Sequence, residues 1–509
     1  MRYTQNLMDK EKPDKKTPPA GVMPADIWNR LERFLILGSE AGTYYVQPRP
    51  LTTRNAPAVL ECLKTDGLRV VRTLIESSTR RRAPRTEPAL FVLALAASPA
   101  FADANTISAA LAALPVVAPS GAGLCSFGAL VEDLRGWGRS LRTAVADWYL
   151  AKPASELANQ MLDHPPRGSW QHRDLLRMSH PKAATPAHNA LFQWAVDGEL
   201  GHLATPRILA GDLRLIQAFE LVKKSAGEDE IVRLIEDHRL TDRMIPSQWK
   251  NSARVWEALL QTMPYPTLVR RLGKLTEVGL LQPQSPATAL VVARLIDRQR
   301  IANSRIHPIV LWAALAEYRE ERAPVSSISD ALEAAFHLAF ENVEPTGKRI
   351  YLWLDASPGM RNSYCTGLPY LSAAMAAEAL GMIFAKREPN CIAGSETLPL
   401  HDAQNRNLAV DAFVIVTDNQ TWTGAEHPAQ ALRHYRQSSG IAAKLVVIAL
   451  AANRYSSADP NDAFQMDVAG FDASVPEIVT EFVRGNSFHR QSFTASGQSN
   501  AHTPQVNYP

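Results

Sequence analysis

The spacing of apolar residues changes abruptly near residue 342, and this change constrains the fold more than any other feature of the chain. Between residues 27 and 342, apolar residues recur at every third or fourth position in pieces broken by Pro, Gly or Asn, as in ILAGDLRLIQAFELVKKSAG. Such spacing places them on one face of a helix. After NVEPTGK, apolar runs such as RIYLWLD and DAFVIVTD alternate with helical stretches. The sequence therefore predicts an all-helical part followed by an α/β domain with a mostly parallel sheet.

The short connections between consecutive predicted helices favour antiparallel helix pairs that stack side by side, as in a solenoid. The chain of 509 residues is expected to have four parts. Residues 1–24 are predicted to be a flexible N-terminal segment, residues 25–345 a helical module, residues 346–485 an α/β domain, and residues 486–509 a disordered tail. The helical stretch of the α/β domain is predicted to include all of LPYLSAAMAAEALGMIFA.

Charge and cysteine usage narrow the functional classes. From residue 346 onward the chain has 12 Lys and Arg against 14 Asp and Glu, whereas the preceding residues have 42 against 37. A polyanion would therefore prefer the N-terminal part. The four cysteines form no C-x-x-C pair, and no run approaches the roughly 20 apolar residues of a membrane span. The N-terminus also lacks the apolar core of a signal peptide, so we expect a cytoplasmic protein without a membrane partner.

A basic segment, SWQHRDLLRMSHPK, is the first candidate binding site. Arg173 and Arg177 are four residues apart on one predicted helical face, His172 and His180 lie near it, and Lys182 follows its end. Guanidinium groups form forked hydrogen bonds with phosphates, and imidazoles stack on or bond to unpaired bases. The residue types alone are more typical of a solvated basic face with a histidine at the helix end.

A second basic patch, STRRRAPR, contains four arginines, and ordinary surface charge explains it equally well. These are Arg80, Arg81, Arg82 and Arg85. No G-x-S-x-G motif or lysine-containing phosphate loop suggests catalysis, and no acidic cluster suggests a two-metal site. The sequence therefore favours binding over enzymatic activity.

Two aspartates end predicted core strands of the α/β domain. Asp355 follows RIYLWL and Asp418 follows DAFVIVT, and the Ser357 hydroxyl stands close to the first. Ligands of open α/β sheets bind beyond the carboxyl ends of the strands, and such oxygens suit Mg²⁺. Taken singly, each aspartate is more often a helix cap or a turn residue.

Long stretches of the chain resemble the Ro autoantigen family, called Rsr in bacteria, in which a TROVE module precedes a von Willebrand factor A-like (vWA-like) domain. The matching stretches run in order from about residue 28 to 482, and they include SWQHRDLLRMSHPK, VWEALLQTMPYPTLVRRLGKLTEVGLL, SRIHPIVLWAALAEY, ALEAAFHLAFENVEPTGKR and AKLVVIALAANRYSSADPNDAFQMDVAGFD. The resemblance implies a closed, HEAT-like ring of helix pairs followed by a Rossmann-like domain.

The resemblance also implies a function. Members of the family bind small noncoding Y RNAs on the outer face of the ring and take single-stranded 3′ ends of defective RNAs into its hole. In bacteria they work with the exoribonuclease polynucleotide phosphorylase and have no catalytic activity of their own. By this resemblance SWQHRDLLRMSHPK is an RNA-contacting segment, and we expect a monomeric scaffold in RNA quality control. The alternative is a protein-interaction module whose ring has little affinity for RNA.

The family pattern fails at the metal site. The resemblance implies D-x-S-x-S after the first strand and a threonine from a middle loop, but Gly359 takes the place of the second serine. Residues 387–410 are too few for the family's strands, helix and threonine loop, because a strand–helix–strand crossover takes about 30 residues. Thr397 is a poor substitute. We therefore expect a shortened vWA-like domain whose Asp355, Ser357 and Asp418 form a degenerate site with little affinity for Mg²⁺.

Overall fold

A computed structural model describes residues 21–80, 83–163, 170–394, 398–418, 426–452, 459 and 461–485. Arg81, Arg82, Thr397 and the predicted tail lie outside these ranges. Within them, no helix is long and apolar enough to cross a membrane.

The helices of the described residues are α1 (Ile27–Leu37), α2 (Pro57–Thr79), α3 (Glu87–Ala96), α4 (Ala104–Val117), α5 (Gly121–Leu134), α6 (Arg139–Leu150), α7 (Ala154–Asp163), α8 (His172–Ser179), α9 (Pro186–Asp197), α10 (Pro206–Ala210), α11 (Arg214–Lys224), α12 (Glu228–His238), α13 (Ala253–Thr262), α14 (Tyr265–Glu277), α15 (Pro286–Leu295), α16 (Arg298–Ser304), α17 (Pro308–Arg319), α18 (Ser326–Leu338), α19 (Gly359–Asn362), α20 (Ala373–Arg387), α21 (Pro399–Asn405), α22 (Pro428–Ser439) and α23 (Val475–Arg484). Short 3₁₀ helices lie at Thr53–Asn55, Asp242–Met244, Ser247–Trp249 and Ala339–Asn342.

The strands are β1 (Thr43–Tyr45), β2 (Ile350–Leu354), β3 (Tyr364–Cys365), β4 (Leu368–Ser372), β5 (Cys391–Gly394), β6 (Ala412–Thr417), β7 (Lys444–Ala449) and β8 (Gln465–Ala469).

The helical module is a stack of helix pairs. Helices α2, α4, α6 and α8 contact one another in that order, and α3, α5, α7 and α9 form a parallel row of contacts. Many helices begin at a side-chain cap that accepts a hydrogen bond from the first turn, which satisfies otherwise unpaired backbone donors. Examples of these caps are Asp103, Ser120, Thr185, Ser252 and Ser285. The two rows are the solenoid architecture that the sequence predicted.

The α/β domain contains a six-stranded sheet in the order β1-β8-β7-β6-β2-β5, with every pairing parallel. Alternate residues of each strand face opposite sides. Tyr351 and Phe413 pack beneath α21 and α22, whereas Leu352 and Val414 join the core that contains α20 and α23. Helices therefore cover both faces of the sheet. The alternating pattern predicted its parallel strands.

Strand β1 is a correction to the prediction that residues 27–342 are helical throughout. Its residues Thr43–Tyr45 lie parallel to β8 at the edge of the sheet, and all three are buried. A three-residue strand is too short to show a periodicity of two, so the pattern of the flanking helices concealed it.

The start and the end of the helical module meet at the α/β domain. At the start, β1 follows α1 and enters the sheet; at the end, α17 contacts β4 and α20. The series of helices therefore returns on itself, with the α/β domain at the junction, and this arrangement closes the ring.

A second correction concerns LPYLSAAMAAEALGMIFA. Its first five residues form β4, which pairs with β3 in a hairpin, and the helix begins only at Ala373. The Ser372 side chain accepts a hydrogen bond from the Met375 amide and so marks the helix start. The short interval 387–410 contains only β5 and the seven-residue helix α21 between α20 and β6, apart from three residues outside the described ranges.

Residues 21–24 differ from the flexible segment expected there. Val22 is buried, Pro24 forms a β-bridge with Asp462, and the Gly21 carbonyl accepts a hydrogen bond from Arg436. This part of the N-terminal segment packs on the α/β domain.

Candidate nucleic-acid interface

Helix α8 carries the basic segment and is fixed by its buried side. Leu175 and Leu176 are buried in the core, and the Asp174 carboxylate accepts a hydrogen bond from the Gln171 amide at the helix start. Gly128 of α5 allows close contact, because a Cβ there would lie 2.9 Å from Leu175 Cδ2. The helix is therefore held tightly against α5.

His172 belongs to this buried side and not to the exposed basic face predicted from the sequence. Its Nδ1 lies 2.8 Å from the Tyr149 hydroxyl of α6, and its ring packs edge-on against the Tyr149 ring. Burial lowers the pKa of His172 to about 4, so the imidazole is neutral at neutral pH. We assign His172 to the positioning of α8 and not to contact with a ligand.

The other four predicted residues of this segment are exposed, and we call Arg173, Arg177, His180 and Lys182 the α8 cationic face. Arg173 lies 3.9 Å from the carboxylate of Asp174, and more than half of its side chain is exposed. In the described part of the chain, Arg177 and Lys182 have no acidic partner within ion-pair distance. Their charges are therefore available to an anionic ligand.

His180 ends α8 with φ of 47°, in the left-handed region. This conformation turns the chain sharply after the helix, so Lys182 lies beyond the turn. The exposed imidazole of His180 remains a candidate for contact with a base.

Sequence reasoning missed two arginines of the neighbouring helix. Arg139 and Arg142 of α6 are exposed, and α6 packs against α8. Their spacing of three residues places them on one side of α6 and was the available signal. Only the contact between the two helices relates them to the basic segment.

The second basic patch is not a single surface. Arg80 ends α2 and pairs with Glu76 at 2.8 Å. Arg85 instead faces the sheet, where it donates hydrogen bonds to the Tyr45 and Val46 carbonyls and lies 3.6 Å from Asp472. Arg85 therefore links the helical module to β1 and α/β-domain residues. Arg81 and Arg82 lie outside the described residues.

The two aspartates of the α/β domain follow the carboxyl ends of β2 and β6. These two strands are adjacent and parallel, so the aspartates lie on the same side of the sheet. Asp355 Oδ1 accepts a hydrogen bond from the Ser357 amide, and its Oδ2 accepts one from the Thr417 hydroxyl, both at 2.8 Å. Asp418 Oδ2 accepts one from the Ser363 hydroxyl at 3.1 Å. Protein donors therefore engage both oxygens of Asp355 and one oxygen of Asp418.

These residues do not fit a resident Mg²⁺ site. A Cβ at Gly359 would lie 2.5 Å from Asp418 Oδ2, so a serine at this position would fit only if that carboxylate shifted. Gly359 itself supplies no side-chain ligand. The described residues contain no group of three or more His, Cys, Asp or Glu that could bind a metal ion.

Comparisons with known proteins match nearly the whole chain. The TROVE domain model matches residues 18–204 and 233–321, and the Ro60 vWA domain model matches residues 392–483. The RNA-binding protein RO60 of Deinococcus radiodurans is 35% identical over 498 residues, which covers 90% of this chain and 92% of the relative. The RNA-binding protein RO60 of Caenorhabditis elegans is 31% identical, with 95% and 92% covered.

A solved structure agrees with the fold. The crystal structure of the Deinococcus radiodurans RO (RSR) protein matches with a TM-score of 0.84 and 34% identity, over 90% of this chain and 100% of that chain.

Proposed function

Because the chain belongs to the Ro60 family, with a TROVE domain and a Ro60 vWA domain, we propose that it is an RNA-binding scaffold and not an enzyme. Two relatives are named RNA-binding proteins, and their matches extend over at least 90% of this chain. The proposed ligands are small noncoding RNAs of the Y type and single-stranded 3′ ends of defective RNAs. The proposed protein partner is an exoribonuclease such as polynucleotide phosphorylase, bound by a monomer of this chain.

The α8 cationic face is the observation that carries the proposal. Arg177 and Lys182 are exposed and have no acidic partner among the described residues, and Arg173 is only weakly paired. Phosphate contacts dominate affinity for nucleic acids, because each contact releases condensed counterions. Exposed arginines on a rigid helix are suited to such contacts, since their fork geometry matches phosphate oxygens.

Ligand type tests the proposal. A ring admits a single strand more readily than a duplex, and unpaired bases offer stacking and edge contacts that a duplex conceals. We expect a hairpin RNA with a single-stranded 3′ tail to displace a labelled tailed RNA at lower concentration than a blunt duplex of equal length. Competition measured by fluorescence anisotropy would give this comparison. Equal competition by the blunt duplex would contradict the proposed preference for 3′ ends.

The β3–β4 hairpin favours a second function, binding of a protein partner by the α/β domain. Tyr364 and Tyr370 of this hairpin are 60% and 50% exposed. Exposed aromatic residues are enriched in protein interfaces, because they bury a large area with few rotatable bonds. If this were the main function, the purified protein would carry no nucleic acid, and its absorbance ratio at 260 and 280 nm would be that of protein alone.

A further inference from the structure

A cavity of about 650 Å³ lies beside the start of α8. Its walls come from the end of α1, the segment after β1, the start of α3 and the middle of α5, and Trp170 closes the side next to α8. Cavities of this size accept small organic groups such as a nucleobase with its sugar. The proposed function does not yet use this space.

Trp170 presents a rigid aromatic wall. Its ring stacks on Trp137 with centroids 5.1 Å apart and an interplanar angle of 20°, and its Nε1 donates a 2.9 Å hydrogen bond to Glu132 Oε2. Both contacts fix the orientation of the indole before any ligand enters. A preorganised aromatic face stacks on a base with little loss of conformational entropy.

The segment after β1 supplies a cation next to a second aromatic ring. The Arg49 guanidinium lies 3.8 Å from the centre of the Tyr45 ring, and Arg49 is exposed. The lining also includes Arg85, whose hydrogen bonds to Tyr45 and Val46 hold the segment in place, and the exposed Glu87 of α3. An exposed guanidinium complements a phosphate, and a carboxylate accepts hydrogen bonds from the amino groups of bases.

Trp170 places the cavity next to the start of the helix that carries the α8 cationic face. Trp170 stands two residues before α8, and Arg173 follows within one helical turn. We expect an RNA strand whose phosphates contact Arg173 to bring a neighbouring nucleotide to Trp170. An apolar protein side chain would make no use of Arg49 and Glu87, whereas a base linked to a phosphate would use both.

We propose that this cavity receives one unpaired purine base of the RNA bound on the α8 cationic face, stacked on Trp170 with its phosphate near Arg49. This inference rests on the proposed function and adds a base-recognition pocket to it. The pocket makes affinity depend on bases as well as on phosphates, which the exposed cations alone do not. Stacking tolerates any base, and the double ring of a purine covers more of the indole face.

The test compares an oligoadenylate with an abasic sugar–phosphate oligomer of equal length, both labelled for fluorescence anisotropy. Two variants remove the pocket in different ways. Trp170→Ala deletes the stacking wall, and Ser126→Phe fills the cavity from the exposed side of α5. Thr65→Phe on α2 is the matched control, because its hydroxyl, like that of Ser126, only bonds the carbonyl four residues earlier.

We expect the wild-type protein to bind oligoadenylate at least about fivefold more tightly than the abasic oligomer. Trp170→Ala and Ser126→Phe should both abolish this preference without changing affinity for the abasic oligomer, and Thr65→Phe should retain it. If Ser126→Phe preserved the preference, or if the wild type bound both oligomers equally, the pocket would be excluded while RNA binding stood. If the wild type bound neither oligomer, the proposed function itself would fail.

Discussion

His172 supports the α8 cationic face from the buried side of α8. The imidazole is buried between α5, α6 and α8, where it contacts the Tyr149 hydroxyl and lies against Gly121. A Cβ at Gly121 would come within 2.4 Å of the ring, so the glycine is needed for this packing. The neutral ring is compatible with burial, whereas a charged one would have to be desolvated. The position of Arg173 and Arg177 therefore depends on a histidine that contacts no ligand.

A pH dependence of stability follows from this burial. The pKa of His172 is about 4 in the folded state against an ordinary 6.5, so the unfolded chain takes up the proton first as the pH falls. Its contribution to stability is complete above pH 6.5 and is lost between pH 6.5 and 4. The slope is about 1.4 kcal/mol per pH unit for one such group.

We therefore expect the free energy of unfolding of His172→Gln to fall less steeply with decreasing pH than that of the wild type. Urea titrations at several pH values between 6.5 and 5 would measure both slopes. The variant starts from a lower stability, because it loses the packing against Tyr149, but only the difference in slope tests the titration. Parallel curves would show that His172 does not titrate in this way.

Local pattern predicted the exposed residues of α8 better than the buried one. Arg173 and Arg177 are exposed cations, as their spacing of four residues suggested, because exposure on a short amphipathic helix follows from the helix's own periodicity. The environment of His172 comes from Tyr149 and Gly121, which are distant in sequence. Arg85 was misjudged for the same reason, since its partners lie on β1 and at Asp472.

At the scale of elements, a buried ion pair joins α22 to the loop before β8 and to the N-terminal segment. Arg436 donates a 2.5 Å hydrogen bond to Asp462 Oδ2, and both side chains are almost completely buried. Arg33 of α1 donates to the Asp462 and Gln465 carbonyls. The same group of residues therefore attaches α1, and with it the start of the helical module, to the α/β domain.

Removal of one partner should be costly. In Asp462→Ala the guanidinium of Arg436 stays buried without its carboxylate, so we expect a loss of about 3–5 kcal/mol in the free energy of unfolding. Asp411→Ala is the matched control, because Asp411 pairs with Arg349 at the same 2.5 Å but is partly exposed. Its loss should be about 1 kcal/mol or less. Similar losses in the two variants, measured by urea unfolding, would contradict the structural role of the buried pair.

The aspartates at the carboxyl ends of β2 and β6 give a prediction about the binding of Mg²⁺. Asp355 and Asp418 already accept hydrogen bonds from protein donors, and Gly359 offers no side-chain oxygen, so Mg²⁺ should gain little there. Bound metal stabilises a fold according to its concentration relative to the dissociation constant. We expect about 5–10 mM Mg²⁺ to raise the melting temperature by less than about 2 °C.

The Asp355→Ala variant should retain RNA binding, because the helical module carries that activity in the proposed function. Isothermal titration calorimetry that found micromolar affinity for Mg²⁺, lost in Asp418→Ala, would overturn the interpretation of Asp355, Ser357 and Asp418 as a degenerate site.

Clear apolar patterns made the long elements predictable from the sequence, whereas several short strands were not predicted. Strands β2, β6 and β7 were found because each is a continuous apolar run. Strands β1 and β5 have three and four residues, and β8 carries buried polar residues such as Gln465 and Asp467, so none shows a clear apolar pattern. Tertiary contacts, not local preference, decide such strands.

For the whole molecule, the α/β domain has a structural role in the ring. It receives β1 from the start of the helical module and contacts α17 near the end, so it joins both ends. Ring closure followed from the family resemblance and not from helical spacing, because the curvature of a solenoid depends on small rotations between repeats. The proposed RNA-binding residues lie on α8 and just after it, in the helical module. The carboxylates of Asp355 and Asp418 belong to the α/β domain.

The salt dependence of RNA binding tests most directly whether the α8 cationic face binds phosphates. The triple variant Arg173→Gln, Arg177→Gln and Lys182→Gln should bind a 3′-tailed RNA more weakly than the wild type. Its plot of log affinity against log salt concentration should be shallower by about 0.7 for each single-strand phosphate that the variant no longer neutralises. The control triple Arg361→Gln, Lys386→Gln and Arg406→Gln changes the net charge equally but lies on the α/β domain, so it should retain the wild-type slope. An unchanged affinity and slope in the α8 variant, or an equal weakening in the control, would contradict the binding of phosphates by this face.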